Sequence, residues 1–177
     1  MTFEEKTLKS EKIYKGAIIN LRRDKVTVQG GTSYREIIEH NGGAVIAALT
    51  EDKKLVMVRQ YRKPAEKVML EVPAGKIDPG EKPLEAAVRE LKEETGLDLV
   101  SIEDKLFDSY SAIGFSNETN AVIIGKAAGT FKPSTSTYEE ITAAWYSRQE
   151  VKELLKNKHF AARTQAFCYM WAKMNDR

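Results

Sequence analysis

Near the start of the chain, polar and apolar positions alternate in two runs separated by glycines. Val26 and Val28 alternate with Lys25 and Thr27, and Gln29-Gly30-Gly31 supplies a turn. Tyr34, Glu36 and Ile38 then alternate with Arg35, Ile37 and Glu39. Residues 11–40 therefore predict short strands that include a hairpin. Asn41-Gly42-Gly43 breaks the pattern and predicts a boundary between an N-terminal β segment, 1–43, and a main domain, 44–177. That domain opens with two short apolar runs rich in β-formers, 44–49 and 55–61, on either side of Glu51-Asp52-Lys53, which predicts a core hairpin. Later strands are predicted over 106–111, 121–126 and 141–146.

The period changes to helical after Pro83, a favourable first helical residue. Leu84, Ala87, Val88 and Leu91 repeat at i, i+3, i+4 and i+7 and predict a buried stripe, and Gly96 suits the left-handed residue that ends the helix. Ser147 with Glu150 is a capping-box signature that opens a short helix through Leu155. A terminal helix is predicted over 160–174, with Phe160, Phe167, Met170, Trp171 and Met174 as its apolar residues and the aromatics among them packed in the core. Strands, a central helix, more strands and a terminal helix make an α/β sandwich.

At 177 residues the chain is long enough to bury a core without staples. Its 28 basic and 26 acidic residues leave a net charge of +2, which excludes a strongly cationic nucleic-acid binder. The single cysteine, Cys168, forms no internal disulfide, suits a reducing compartment and sits among Phe and Met as a packing residue. His40 and His159 lie far apart and have no cysteine partners, so no zinc site is expected. No apolar run reaches the ~20 residues of a membrane span. The polar start carries no leader pattern, and the expected location is the cytoplasm.

The near-neutral total hides an uneven distribution. Residues 44–70 hold six basic and three acidic groups, whereas 71–105 hold five and ten. Within the acidic stretch Glu90, Glu93 and Glu94 sit at i, i+3 and i+4 and so share a helical face. Like charges at that spacing repel, and acids at a helix C-terminus oppose its dipole. Arg89 can offset part of this through Glu93, its i+4 neighbour. Hard carboxylate oxygens are the ligands of Mg²⁺ or Mn²⁺, so a cation site explains a cluster that is otherwise costly. Gly75 and Gly80 allow the preceding loop to fold tightly against the helix start, where a backbone carbonyl and Glu81 could join the site.

Gly75, five residues, Glu81, seven residues, then Arg89-Glu90-Leu91-Lys92-Glu93-Glu94-Thr95-Gly96-Leu97 resembles the Nudix box at all nine fixed positions over 23 residues. Arg59-Gln60-Tyr61-Arg62, Glu71-Val72-Pro73-Ala74-Gly75 and Arg35-Glu36 resemble the ADP-ribose pyrophosphatase branch of that family. The resemblance implies a Nudix-type α/β/α sandwich with a small N-terminal antiparallel β-sheet segment exchanged in a homodimer. It implies Glu90, Glu93, Glu94 and the carbonyl of Ala74 as metal ligands, with Glu81 in the outer part of the site and Arg89 holding Glu93 or a neighbouring acid. Catalytic roles would fall to Glu93, Glu94 and Glu139. Arg35, Arg62, Glu71, Lys76, Gly114 and Glu118 would meet substrate, the arginines because a planar guanidinium matches phosphate oxygens. The implied reaction is Mg²⁺-dependent hydrolysis of ADP-ribose to AMP and ribose 5-phosphate, with Mn²⁺ as an alternative cation. The partners would be a nucleoside diphosphate sugar and a second copy of the chain, with no nucleic acid or membrane.

Two stretches depart from the branch. Ile113 stands where a proline is expected in Ser111-Ala112-Ile113-Gly114, although Gly114 and Glu118 fit. In the late acidic loop, Thr137 aligns with the expected base, which leaves Glu139 as base or ligand and Glu140 in reserve. Another nucleotide sugar, such as GDP-mannose, is therefore an alternative substrate. A non-catalytic ligand sensor is the alternative of a different class.

Overall fold

The computed structural model describes residues 3–173. They form two compact units. One comprises the residues up to Gly42 together with Ser109–Asn120, and the other comprises Gly43–Asp108 and the chain from Ala121 onward. The stretch 109–120 falls within the predicted main domain, 44–177, yet groups with the N-terminal strands.

The first unit is built on three antiparallel strands, β1 (Thr7–Lys15), β2 (Asn20–Val28) and β3 (Gly31–Glu39), in the order β1-β2-β3. Strand β1 begins before the predicted strand region, and all nine of its residues are exposed. Its side chains lack the half-buried alternation that marks a strand in sequence. The segment after Ser111 lies along β3. The Ile38 N–H donates to the Phe115 carbonyl at 2.8 Å, and the Asn117 N–H donates to the Ile38 carbonyl at 3.1 Å.

The second unit holds β4 (Gly43–Leu49), β5 (Leu55–Arg62), β6 (Lys67–Glu71), β7 (Ala74–Lys76), α1 (Pro83–Thr95), β8 (Asp98–Tyr110), β9 (Thr119–Ala128), β10 (Ile141–Tyr146), α2 (Arg148–Asn157) and α3 (Ala162–Lys173). The last two residues of β8 and the first two of β9 belong to the first unit. The main sheet runs β10-β5-β4-β9-β8, with β6 paired to β5 and β7 to β4. Strand β8 starts at Asp98, well before the predicted 106, and ends before Ser111.

Alternation along β4 divides the core into two layers. Ala44, Ile46 and Ala48 pack with Val56, Ala87, Leu91 and Leu97 on the α1 side. Val45 and Ala47 pack with Leu55, Met57, Val151, Cys168 and Ala172 on the α2–α3 side. This is an α/β/α sandwich, as expected. Burying a side chain such as Ile46 completely contributes about 1.5–3 kcal/mol.

Helix α1 starts at Pro83 and ends at Gly96, whose φ of 78° is left-handed. Its buried stripe is rotated from the expected one. Val88 is 38% exposed, whereas Ala86, Ala87, Leu91, Glu94 and Thr95 are buried. Glu94 lies seven residues after Ala87, two turns on, and so continues the inward face. Helix α2 is capped as predicted, the Ser147 hydroxyl accepting the Glu150 N–H while the Glu150 carboxylate takes the Ser147 N–H. Helix α3 begins at Ala162, so Phe160 lies outside it, bridged to Leu70. Met170 is 56% exposed, and the buried stripe is Thr164, Cys168 and Ala172. Phe167 and Trp171 pack beside that stripe, and Met174 lies outside the described residues.

Candidate active site

Helix α1 carries the acids, and Arg89 organises them. Its Nε donates to Glu81 Oε1 at 2.9 Å, and its Nη2 donates to Glu81 Oε2 and to the Lys76 carbonyl, both at 2.9 Å. Its Nη1 donates to Glu90 Oε1 at 2.7 Å and to Glu93 Oε2 at 3.2 Å. One guanidinium thus joins β7, the loop after it and two turns of helix, a task suited to a rigid five-donor fork. Glu81 also accepts the Asp78 N–H at 3.0 Å. The hydrogen bonds from Arg89, helped by that amide, hold its carboxyl down at about 2. The sequence placed Glu81 in the outer part of the site, and the structure places it behind Arg89.

Strand β7 brings its backbone against the helix. The Ala74 N–H donates to Glu94 Oε2 at 3.3 Å. A Cβ at Gly75 would collide with the Glu90 carboxylate, so only glycine leaves that carboxylate its place. Glu94 is 6% exposed. Burial, and next the Glu90 carboxylate, push its carboxyl up to about 8, against the pull of the Ala74 amide and Arg62. Burial also raises Glu90 despite its bond to Arg89.

The facing wall is the loop before β10. It is tied to the end of α1, where carbonyls have no partner within the helix: Lys132 N–H donates to Thr95 O and Thr135 N–H to Glu93 O, each at 3.0 Å. Between helix and loop lies a cavity of about 280 Å³ lined by Glu90, Glu93, Glu94 and Glu139, with Ser134, Thr135 and Ser136. Thr137 and Glu140 are absent from that lining, and Glu139 is held by its N–H to Ser136 Oγ at 3.1 Å. Nothing in the sequence marked the three hydroxyl residues, because their place on the cavity depends on how the loop folds back.

The remaining expected site residues are distributed as follows. Arg62 and Glu71 grip each other in a two-point pair, Nε to Oε1 at 2.6 Å and Nη2 to Oε2 at 3.1 Å, with Glu71 buried. Lys76 has an exposed side chain at the end of β7, and its carbonyl is engaged by Arg89. Arg35, Gly114 and Glu118 belong to the first unit. There Arg35 is occupied by Glu5, at 2.9 and 2.5 Å, and Glu118 Oε1 lies 3.8 Å from His40 Nδ1.

The donor set on the cavity is all hard oxygen and suits a divalent cation. A buried acid raised by a neighbouring acid is relieved when a cation binds between them. Among the described residues no three acids, histidines or cysteines are already gathered into a cage; Arg89 and the Ala74 amide hold the carboxylates instead.

A family model described as the NUDIX domain matches residues 40–166. A methanol dehydrogenase activator of Bacillus methanolicus is 43% identical over 132 residues, covering 67% of this chain and 71% of that protein. An ADP-ribose pyrophosphatase of Bacillus subtilis (strain 168) is 39% identical over 126 residues, covering 71% and 68%. A solved structure titled as an ADP compounds hydrolase superposes with a TM-score of 0.77 at 21% identity, covering 98% of this chain and 97% of that one, a likeness of fold.

Proposed function

The chain belongs to the Nudix hydrolase family, and from that premise we propose that it hydrolyses the diphosphate of ADP-ribose to AMP and ribose 5-phosphate with a divalent cation, Mg²⁺ first and Mn²⁺ second. The observation that carries the reading is the convergence of Glu90, Glu93, Glu94 and Glu139 on one cavity beside the Ala74 peptide. The pyrophosphatase relative at 39% identity supports the choice of substrate.

Glu90, Glu94, Glu93 and the Ala74 carbonyl would hold the cation. When bound, it neutralises phosphate charge and acidifies a water. Glu139 faces the helix acids across the cavity and takes the proton of the attacking water. The water oxygen bonds to phosphorus, and the bond from that phosphorus to the bridging oxygen breaks. Arg89 fixes Glu90 and Glu93 so that their geometry does not depend on ligand. Arg62, turning from Glu71, and Lys76 bind the diphosphate.

Gly114 and Glu118 from the 109–120 stretch, and Arg35 from the N-terminal segment of a homodimer, serve the nucleotide or the distal ribose. A second copy would cover the apolar side chains that this segment exposes, among them Leu8, Ile13, Tyr14, Ile18 and Tyr34. We place the protein in the cytoplasm, with Cys168 reduced. Among the described residues no helix is long and apolar enough to cross a membrane.

The test is a substrate panel that includes ADP-ribose and GDP-mannose, ranked by kcat/KM with Mg²⁺ and with Mn²⁺. AMP and ribose 5-phosphate are expected, with ADP-ribose first. No AMP at any cation concentration would refute the reading. The relative named as a dehydrogenase activator favours a second reading, in which the protein acts on a dehydrogenase. Adding it to an alcohol dehydrogenase assay, with wild type and Glu94→Gln in parallel, separates an effect that requires hydrolysis from one that requires only contact.

A further inference from the structure

The last turn of the first unit contains a hydrogen-bond clasp that the proposed reaction does not use. At the end of β3, the His40 N–H donates to Asn117 Oδ1 at 3.0 Å, and the Gly42 N–H donates to His40 Nδ1 at 3.0 Å. Because Nδ1 accepts, the ring is neutral there and its proton is on Nε2. The same Nδ1 faces Glu118 Oε1 at 3.8 Å. Glu118 is held from two other directions, its N–H donating to Ser116 Oγ at 3.1 Å and its carbonyl accepting the Ser111 N–H at 3.2 Å. Gly42 has φ of +90°, and a Cβ there would press on the Thr119 carbonyl at 3.0 Å. Only glycine therefore fits the position from which that amide reaches the ring.

We infer that His40 is a positioning residue for Glu118: its neutral Nδ1, engaged by the Gly42 amide, leaves the Glu118 carboxylate free to accept from ligand hydroxyls. The inference rests on the reading of Glu118 as a substrate contact. Protonating the ring converts Nδ1 from acceptor to donor. The Gly42 amide then loses its partner, and the new N–H draws in the carboxylate 3.8 Å away. Among the described residues Glu118 faces the ring nitrogen; Glu39, next to His40 in the chain, is turned to Arg22 at 2.9 Å. Acid therefore withdraws Glu118 from substrate and weakens binding without touching the reacting atoms.

The experiment measures kcat and KM for ADP-ribose from about pH 8 down to about pH 5.5, the interval in which histidine charges. Wild type, His40→Ala and His40→Asn are compared. Asparagine can keep an acceptor near the Nδ1 position and does not titrate. Wild-type KM is expected to rise several-fold toward acid. His40→Ala and His40→Asn, neither of which can capture Glu118 on acidification, should both keep KM from rising toward acid. A KM that climbs toward acid in either variant as steeply as in wild type overturns the inference. A second measurement needs no substrate: the NMR shift of the His40 ring is followed with pH in wild type and in Glu118→Gln. A midpoint that falls in the glutamine variant supports the pairing, and an identical midpoint overturns it. If ADP-ribose is not hydrolysed at all, the proposed substrate fails while the ring titration still decides the clasp.

Discussion

Glu94 is where sequence, packing and chemistry meet most closely. It continues the inward face of α1, next to Ala87 and Leu91, and a carboxylate in that position has a use only if something positive arrives. Removing its charge should therefore leave the cation-free fold no less stable and abolish the response to cation. Wild type is expected to gain roughly 5–10 °C in Tm at a cation concentration about 100 times Kd. Glu94→Gln should gain little and lose turnover by orders of magnitude, which calorimetry and the activity assay read separately. A large Mg²⁺-induced shift in Glu94→Gln would contradict the assignment. Cys168 makes the opposite case, an ionisable group that burial silences. Burial pushes its thiol from 9.0 up to about 12, beside the Met57 sulfur at 3.7 Å. The raised value means that its share of stability is complete below about pH 9 and is lost as pH climbs toward 12. Iodoacetamide at pH 8 should leave the native thiol unmodified and label it only after denaturant is added. Rapid native labelling would show the packing to be otherwise.

Elements differ in how they are held, and so in how they should respond. The Ser147–Glu150 box closes two free amides at the start of α2. Ser147→Ala should cost about 1 kcal/mol, read as a lower denaturant midpoint at constant slope, with catalysis unaffected. A loss below a few tenths would mean that α2 is held by Val151 and its packing alone. The same contrast explains what the chain made readable. Helix α1 was visible because Pro83, Gly96 and an apolar stripe all act within one stretch. Val88 was misread because which edge of the stripe turns inward depends on the sheet beneath it. The full extents of β1 and β8 were not visible, since strands with largely exposed side chains carry no burial pattern. The acids of the site were legible because repulsion at i, i+3 and i+4 is a local oddity. The Arg62–Glu71 pair was not, since it depends on how β5 and β6 align, and the placing of Glu139 opposite α1 depends on a loop about forty residues further along the chain.

At the scale of the whole molecule, the first unit exposes a series of large apolar side chains, Leu8, Ile13, Tyr14, Ile18 and Tyr34 among them. A homodimer burying about 1,600 Å² would account for them. Sedimentation should give twice the 19.9 kDa chain mass, and Ile13→Asp together with Tyr14→Asp should shift the protein toward monomer. A monomer at every concentration would leave those side chains without a role. The first unit is also discontinuous, made by the chain up to Gly42 and again by Ser109–Asn120. Its order of assembly during synthesis follows. When residue 43 leaves the ribosome, the amide and carbonyl of Ile38 still lack Phe115 and Asn117, which emerge more than seventy residues later. The N-terminal sheet has all three of its strands by then, yet it must wait for β4, β5, α1 and β8 to be translated before the strip of backbone that lies along β3 arrives.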